Sequence, residues 1–198
     1  MDKQAVEHAN GRLRKAEKAL EALKNADSYE TAEEAWSDFL LAASTIYSKL
    51  EQGSKSKGTS AGWFGRKKKE RKDDPVLRYL HHARNSDEHG IERVAERGGN
   101  AKDPFGKKLK FNERREYVIG TSRDPKTGEI TVHNMKAYLY GPSLQMIRVH
   151  DRRFGDHCDP PTQHLGHPID LDDNSLVGVA TLGLAYLKTL MVEAETLT

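Results

Sequence analysis

The chain has 198 residues, of which 36% are hydrophobic and 31% charged, and its formal net charge at pH 7 is +2. This length suits one domain, or one domain with an insertion, and it is enough to bury a core. The only cysteine, Cys158, excludes an intramolecular disulfide and therefore a disulfide-stapled fold, which agrees with a reducing cytoplasm.

Two amphipathic helices are predicted at the start of the chain. Residues 1–15 contain no apolar run, so we expect no secretory signal. The first helix ends near Lys24, and its apolar positions have helical spacing: Leu13, Ala16, Leu20 and Leu23. The second begins after the expected N-cap Asp27 and has the clearest apolar stripe of the chain: Ala32, Trp36, Phe39, Ala43, Ile46 or Tyr47, and Leu50. Trp36 and Tyr47 are at core spacing, and we assign them to packing alone. A short turn between them predicts an antiparallel pair.

Residues 53–72, GSKSKGTSAGWFGRKKKERK, are predicted to form a mobile basic linker, because Gly, Ser and Lys interrupt the helical pattern. The segment holds eight Lys or Arg and one Glu, a local charge of +7 that leaves −5 for the remainder. Cations for phosphate and aromatic rings for stacking predict a nucleic-acid contact. Its residues would be Trp63, Arg66, Lys67, Lys68, Lys69, Arg71 and Lys72. The alternative is a solvated charge run without a ligand.

A third helix is predicted from Pro75, capped by Asp73 or Asp74, to the glycine pair that ends at Gly99. After Pro104, alternating and β-branched runs separated by RDPKTG and GPS predict a small antiparallel meander. A long polar loop follows, and the insertion as a whole spans 104–172.

The apolar run SLVGVATLGLAYLKTLMV predicts a closing helix within 173–197. It barely reaches spanning length, so we expect a buried or subunit-interface helix and no membrane contact. The predicted fold is therefore mainly α with a β insertion (α+β). It is an up-and-down bundle of about four helices, from residues 1–97 and 173–197, interrupted by the meander.

Polar residues occupy the middle of the third helix, where its apolar stripe should continue. After Leu77 and Leu80, positions 84 and 87 of that row are Arg and Asp. Burying an unpaired charge is costly, so this interruption predicts a site. At 100° per residue, one arc of about 140° carries His81, Arg84, Asn85, Glu88 and His89.

These side chains suit cleavage of a phosphodiester bond in RNA. A histidine that titrates near neutrality can take the proton of a ribose 2′-hydroxyl. An arginine can stabilise the charge on the phosphorane, and Asn85 could orient either group. Glu88 and His81 are expected to support the pair of Arg84 and His89.

The stretch RNSDEH, from Arg84 to His89, resembles the Arg-x4–6-His motif of the HEPN superfamily, because a polar residue follows the arginine directly and a predicted helix carries both. The resemblance covers residues 1–97 and 175–192. It implies a four- or five-helix bundle and a homodimer in which two motifs meet in one cleft. Many members are metal-independent endoribonucleases of toxin–antitoxin, abortive-infection and CRISPR-associated systems.

By this resemblance Arg84 and His89 would be the catalytic pair and Asn85 the supporting polar residue. The protein would need no cofactor, would act on RNA, and would have a cognate antitoxin or regulatory protein as partner. The second reading is a non-catalytic HEPN-like module that binds RNA or a protein. A third interpretation is an ordinary surface ion pair of Arg84 with Glu88, worth about 0.3–0.5 kcal/mol.

Two further patterns compete with this site. Arg152 and His157 also match Arg-x4-His, but they fall at a strand end or loop without a following Asn. Residues of metal-ligand type cluster within the polar loop: His157, Cys158, Asp159, His164 and His167. Their spacing matches no zinc module and the neighbouring prolines predict a rigid polar loop. We therefore predict no metal site and keep a zinc-stabilised interaction protein as an alternative.

Overall fold

A computed structural model describes residues 1–89, 94–151, 155–169 and 176–198, and within these ranges it has five helices. They are α1 (Lys3–Lys24), α2 (Tyr29–Ser54), α3 (Gly58–Asp73), α4 (Pro75–His89) and α5 (Leu176–Glu195). The strands lie between α4 and α5: β1 (Glu96–Gly98), β2 (Arg114–Arg123), β3 (Ile130–Tyr140), β4 (Ser143–Gln145), β5 (Val149–Asp151), β6 (Asp156–Cys158), β7 (Gln163–His164) and β8 (His167–Pro168). Helices with small antiparallel strand pairs agree with the predicted α+β class.

The first two helices follow the predicted boundaries, with a different cap. Ser28, and not Asp27, is the N-cap of α2, because its hydroxyl accepts from the Thr31 backbone N–H while the Thr31 hydroxyl accepts from the Ser28 backbone N–H. This reciprocal pair satisfies two backbone donors at once. The predicted apolar stripe of α2 is buried, and its Trp36 and Phe39 rings stack with centroids 6.0 Å apart.

Helix α5 crosses the core close to α4. Ten of its residues are buried, and a Cβ at Gly183 would lie 2.4 Å from Leu80 Cδ1. Glycine at this position therefore lets the two helices approach each other. By length and composition alone α5 could cross a membrane, and half of its most apolar window is buried inside the protein.

The prediction of a mobile linker over 53–72 is wrong. Helix α2 runs on to Ser54, and residues 58–73 form α3. One side of α3 is buried, with Ser60, Trp63 and Phe64 each less than a tenth exposed. The helix is held because Trp63 Nε1 donates to Glu193 of α5 at 2.8 Å and Lys67 pairs with the same carboxylate at 2.9 Å. These contacts offset the weak helix propensity of the Gly- and Ser-rich start.

The third predicted helix is shorter than expected, since residues 96–98 form β1 and not helix. The predicted meander is also replaced by four two-stranded antiparallel sheets. The β2–β3 hairpin matches the first two predicted strands, but the third predicted strand is divided between β4, paired with β1, and β5, paired with β6. Pro142, two residues after the end of β3, has no N–H to continue a ladder, so the chain leaves the hairpin there.

The segment predicted as a polar loop contains three short strands. Strand β6 pairs with β5, and β7 pairs with β8. Both pairs lie against α4, which is thereby covered by short strands on one side and by helices on the other. The fold leaves a polar strip along α4 between these two coverings.

Candidate functional site on helix α4

Arg84 and Asn85 lie at the border between the buried and exposed sides of α4. Both are partly buried, and Arg84 Nη1 donates to Asn85 Oδ1 at 3.3 Å. The buried side next to them is fixed, because Ala83 is fully enclosed and the Ser86 hydroxyl donates to the His150 carbonyl. The helix therefore holds an arginine and an amide together on a rigid support.

Asp87, which interrupts the apolar stripe, has an ordinary partner. Its side chain is exposed at the edge of the stripe and accepts a hydrogen bond from the Ser37 hydroxyl of α2 at 2.6 Å. The carboxylate therefore stays in contact with water and costs little to accommodate. Packing between α2 and α4 thus explains Asp87, one of the two charged residues that interrupt the predicted apolar stripe.

Glu88 and His89 form the end of α4 by their backbones, but their side chains lie outside the described residues. The predicted convergence of Arg84 and His89 therefore stays a prediction. The competing arginine of the second motif match, Arg152, also lies outside the described residues.

His81 faces a different neighbourhood from Arg84. It lines a small cavity of about 30 Å³ where α2, α3, α4 and α5 meet, together with Arg71 of α3. Its ring is 6.2 Å from that of His82, centroid to centroid. The structure thus brings together one residue from each of two separately predicted groups, the helix face and the basic segment.

The basic residues of α3 divide into a packed set and an exposed set. Although burial opposes it, hydrogen bonds to Glu193 and Glu70 raise the pKa of Lys67. Arg71 lies over the Tyr47 ring at 4.4 Å, and burial lowers its pKa. The others are exposed: Arg66, Lys68, Lys69 and Lys72, of which Lys68 is ion-paired with Glu51 at 2.8 Å.

Trp63 is enclosed in the protein and is not open to a stacking base. It is 6% exposed and packs beside Phe64, with its indole N–H engaged by Glu193. The predicted role of Trp63 in base stacking is therefore wrong, because the ring faces α5 and not solvent. Its helical spacing with Ser60 and Lys67 was the signal that could have assigned it to packing.

The residues of metal-ligand type are dispersed. His157 and His167 are exposed, whereas Cys158 is buried and its thiol pKa is raised by burial. His164 is turned away toward the Asp74 carboxylate, 3.0 Å from its Nδ1. Within the described residues no group of three His, Cys, Asp or Glu side chains could hold a metal ion.

Sequence reasoning missed the polar cluster behind α3. The Tyr186 hydroxyl donates to Glu70 at 2.8 Å, and burial raises the pKa of Tyr186. Tyr47, which its spacing assigned to packing alone, also lines the cavity with a buried hydroxyl. No local pattern predicts this cluster, because its members come from three helices.

The chain was compared with known proteins of three kinds. No protein-family model, curated protein or solved structure matches it. The site is therefore interpreted from its own residues and geometry.

Proposed function

We propose that this chain is a metal-independent endoribonuclease of HEPN-like type, acting in the cytoplasm as a toxin or phage-defence effector. In this proposal the helices form an up-and-down bundle and two copies pair so that their α4 helices share a cleft. The observation that carries the proposal is the contact of Arg84 with Asn85 on α4. His89, five residues on, ends the same helix about 7.5 Å further along its axis.

Each group would have a distinct chemical role. His89 takes the proton of a ribose 2′-hydroxyl, and that oxygen attacks the adjacent phosphorus. Arg84 stabilises the negative charge that develops on the phosphorane, with Asn85 orienting the guanidinium through their hydrogen bond. The P–O5′ bond breaks and the leaving oxygen receives a proton, which the histidine of the second copy can supply. The products are a 2′,3′-cyclic phosphate and a 5′-hydroxyl.

The decisive experiment is cleavage of a labelled mixed RNA pool in EDTA. We expect the wild type to leave 2′,3′-cyclic phosphate ends, and Arg84→Ala and His89→Ala to cut about 10²–10⁴-fold more slowly. Matched controls are Arg14→Ala and His8→Ala, which remove the same side chains from exposed positions of α1. An inert wild type, or equal cutting by all five proteins, would contradict the proposal.

A non-catalytic RNA-binding module is the second candidate, and the exposed cations of α3 favour it. Arg66, Lys69 and Lys72 project from the side of α3 opposite its buried residues, as a contact to phosphate requires. Such a module would bind RNA without cutting it, and wild type, Arg84→Ala and His89→Ala would all leave the RNA pool uncut. Under either reading, a cognate antitoxin or other regulatory protein would bind over the exposed side of α4.

A further inference from the structure

The small cavity where α2, α3, α4 and α5 meet has an apolar wall and a polar rim. Leu77, Leu80 and Leu187 form much of the wall. The polar lining residues are Ser44, Tyr47, Arg71 and His81, and none of the lining residues, all within the described part of the chain, is acidic. A rim made of a guanidinium, an imidazole and two hydroxyls offers hydrogen-bond donors, and no carboxylate lines the cavity itself.

One of these donors is buried without an acceptor. Arg71 Nε makes no hydrogen bond to any residue that the structure describes, and the buried Tyr47 hydroxyl beside it lies within reach of Tyr186. The guanidinium carbon of Arg71 lies 4.4 Å from the centre of the Tyr47 ring, so the arginine is stacked in place. Burying a hydrogen-bond donor without an acceptor costs free energy, and burying a cation without a partner costs more.

Two carboxylates in the neighbourhood of Arg71 form their ion pairs with other side chains. Glu70 accepts from the Tyr186 hydroxyl at 2.8 Å and pairs with Lys67 at 3.1 Å. Glu51 pairs with Lys68 at 2.8 Å. Among the described residues, therefore, Arg71 has no ion-pair partner, although burial already disfavours its charge.

We propose that the rim of this cavity is a subsite for a phosphoryl group. The planar guanidinium of Arg71 can bind two phosphoryl oxygens, and the Tyr47 hydroxyl and His81 imidazole can donate to others. A volume of about 30 Å³ admits a water or two, so the phosphoryl group sits at the mouth and its oxygens replace that water.

The subsite rests on the proposed ribonuclease only for the source of its phosphoryl group, which would then be an RNA strand. His81 precedes Arg84 by three residues, or about one turn of α4. In the proposed complex, a strand whose scissile phosphate lies at Arg84 would continue past His81 and place a neighbouring phosphate at Arg71. A free phosphate or a mononucleotide has the same chemistry, and the arms of the experiment separate these sources.

The experiment measures direct binding by calorimetry, with inorganic phosphate, adenosine 5′-monophosphate, acetate and a non-cleavable 2′-O-methyl RNA as probes. We expect wild type to bind phosphate, the nucleotide and the RNA, and acetate far more weakly. Arg71→Gln and Tyr47→Phe should weaken phosphate binding, by about tenfold or more for Arg71→Gln. The matched control is Arg14→Gln, an exposed arginine of α1, and it should bind phosphate as wild type does.

Arg71→Lys separates a loss of binding from a loss of folding, because it keeps the positive charge and removes the planar guanidinium. Its helical circular dichroism should equal that of wild type, while its phosphate binding should be weaker. A wild type that binds neither phosphate nor nucleotide, or that binds acetate equally well, would overturn the subsite. Binding of nucleotide but not of RNA would contradict the strand assignment. A different result would contradict the proposed ribonuclease and leave the subsite intact. In that case wild type would bind phosphate and leave the cleavable RNA pool uncut.

Discussion

The Asp74 carboxylate links the β7–β8 pair to the start of α4 by its contact with the His164 ring. The His164 ring nitrogen Nδ1 lies 3.0 and 3.2 Å from the two Asp74 carboxylate oxygens, across 90 positions of sequence. The same carboxylate accepts the backbone N–H groups of Leu77 and Leu165 at 2.9 and 2.6 Å. One buried side chain therefore caps the helix of the candidate site and anchors the segment that covers it.

We expect Asp74→Ala to lower the free energy of unfolding by about 2–4 kcal/mol, because it removes a helix cap and leaves buried donors without an acceptor. Urea unfolding at pH 7 measures this loss. The matched control is Asp73→Ala, an exposed neighbour at the end of α3, which should change stability by less than about 0.5 kcal/mol. Equal effects of the two substitutions would contradict the role of the Asp74 contacts.

Two glycines in helices should respond oppositely to alanine. A Cβ at Gly183 meets the Leu80 side chain, so Gly183→Ala should cost about 1–3 kcal/mol by overpacking. A Cβ at Gly65 meets no atom within 4 Å, so Gly65→Ala should stabilise α3 by about 0.5–1 kcal/mol. Thermal unfolding of both variants checks the pair. A stabilised Gly183→Ala would mean that α4 and α5 are not in close contact there.

The first two helices were predictable because their signals are local. Lys24 ends α1 and Pro75 begins α4 as expected, since spacing, turn residues and proline act within a few residues. Residues 53–72 were misassigned because what holds α3 is remote. Trp63 and Lys67 both bind Glu193, which is 126 or more positions away. No pattern within residues 53–72 predicts Glu193 as a partner. The tertiary contacts to Glu193 outweigh the low helix propensity of the segment.

The candidate site likewise has one part that could be predicted from the sequence and one part that could not. That Arg84 and Asn85 fall within one arc of about 140° on the helix follows from 100° per residue. That His81 and Arg71 line the same cavity could not be predicted, because it depends on how α3 turns into α4 at Asp74. Sequence reasoning found both residues but placed them in separate sites.

Acid pH should loosen the base of the β2–β3 hairpin. The hydrogen bond from the Tyr117 hydroxyl lowers the pKa of Asp103 most; burial opposes it, and bonds from Lys107, Phe105 and Arg115 lower the pKa further. The unfolded chain therefore takes up a proton at this carboxylate at a higher pH than the folded chain. The stabilisation is present above about pH 4, the ordinary range of aspartate, and is lost as the pH falls through the lowered pKa.

Urea unfolding at a series of pH values between 7 and 2 measures this dependence. We expect the wild type to lose stability on acidification more steeply than Asp103→Asn, which cannot titrate. Asp38→Asn is the control, because Asp38 is an exposed aspartate of α2, and its curve should follow that of wild type. Parallel curves for wild type and Asp103→Asn would show that the hydrogen bonds to Asp103 do not favour its charged form.

The exposed side of α3 should set the salt dependence of RNA binding if the proposed function holds. Replacing Arg66, Lys69 and Lys72 by Gln removes three cations that do not take part in the packing of α3. If each contacts a phosphate, the slope of log K against log salt should fall by about 2, since a single-stranded contact contributes roughly 0.7. The matched control is the α1 triple Gln variant of Arg12, Lys15 and Lys18, a basic row on another groove, which should keep the wild-type slope. If the α1 variant lowers the slope and the α3 variant does not, RNA lies along α1 and the charge concentrated in α3 serves another purpose.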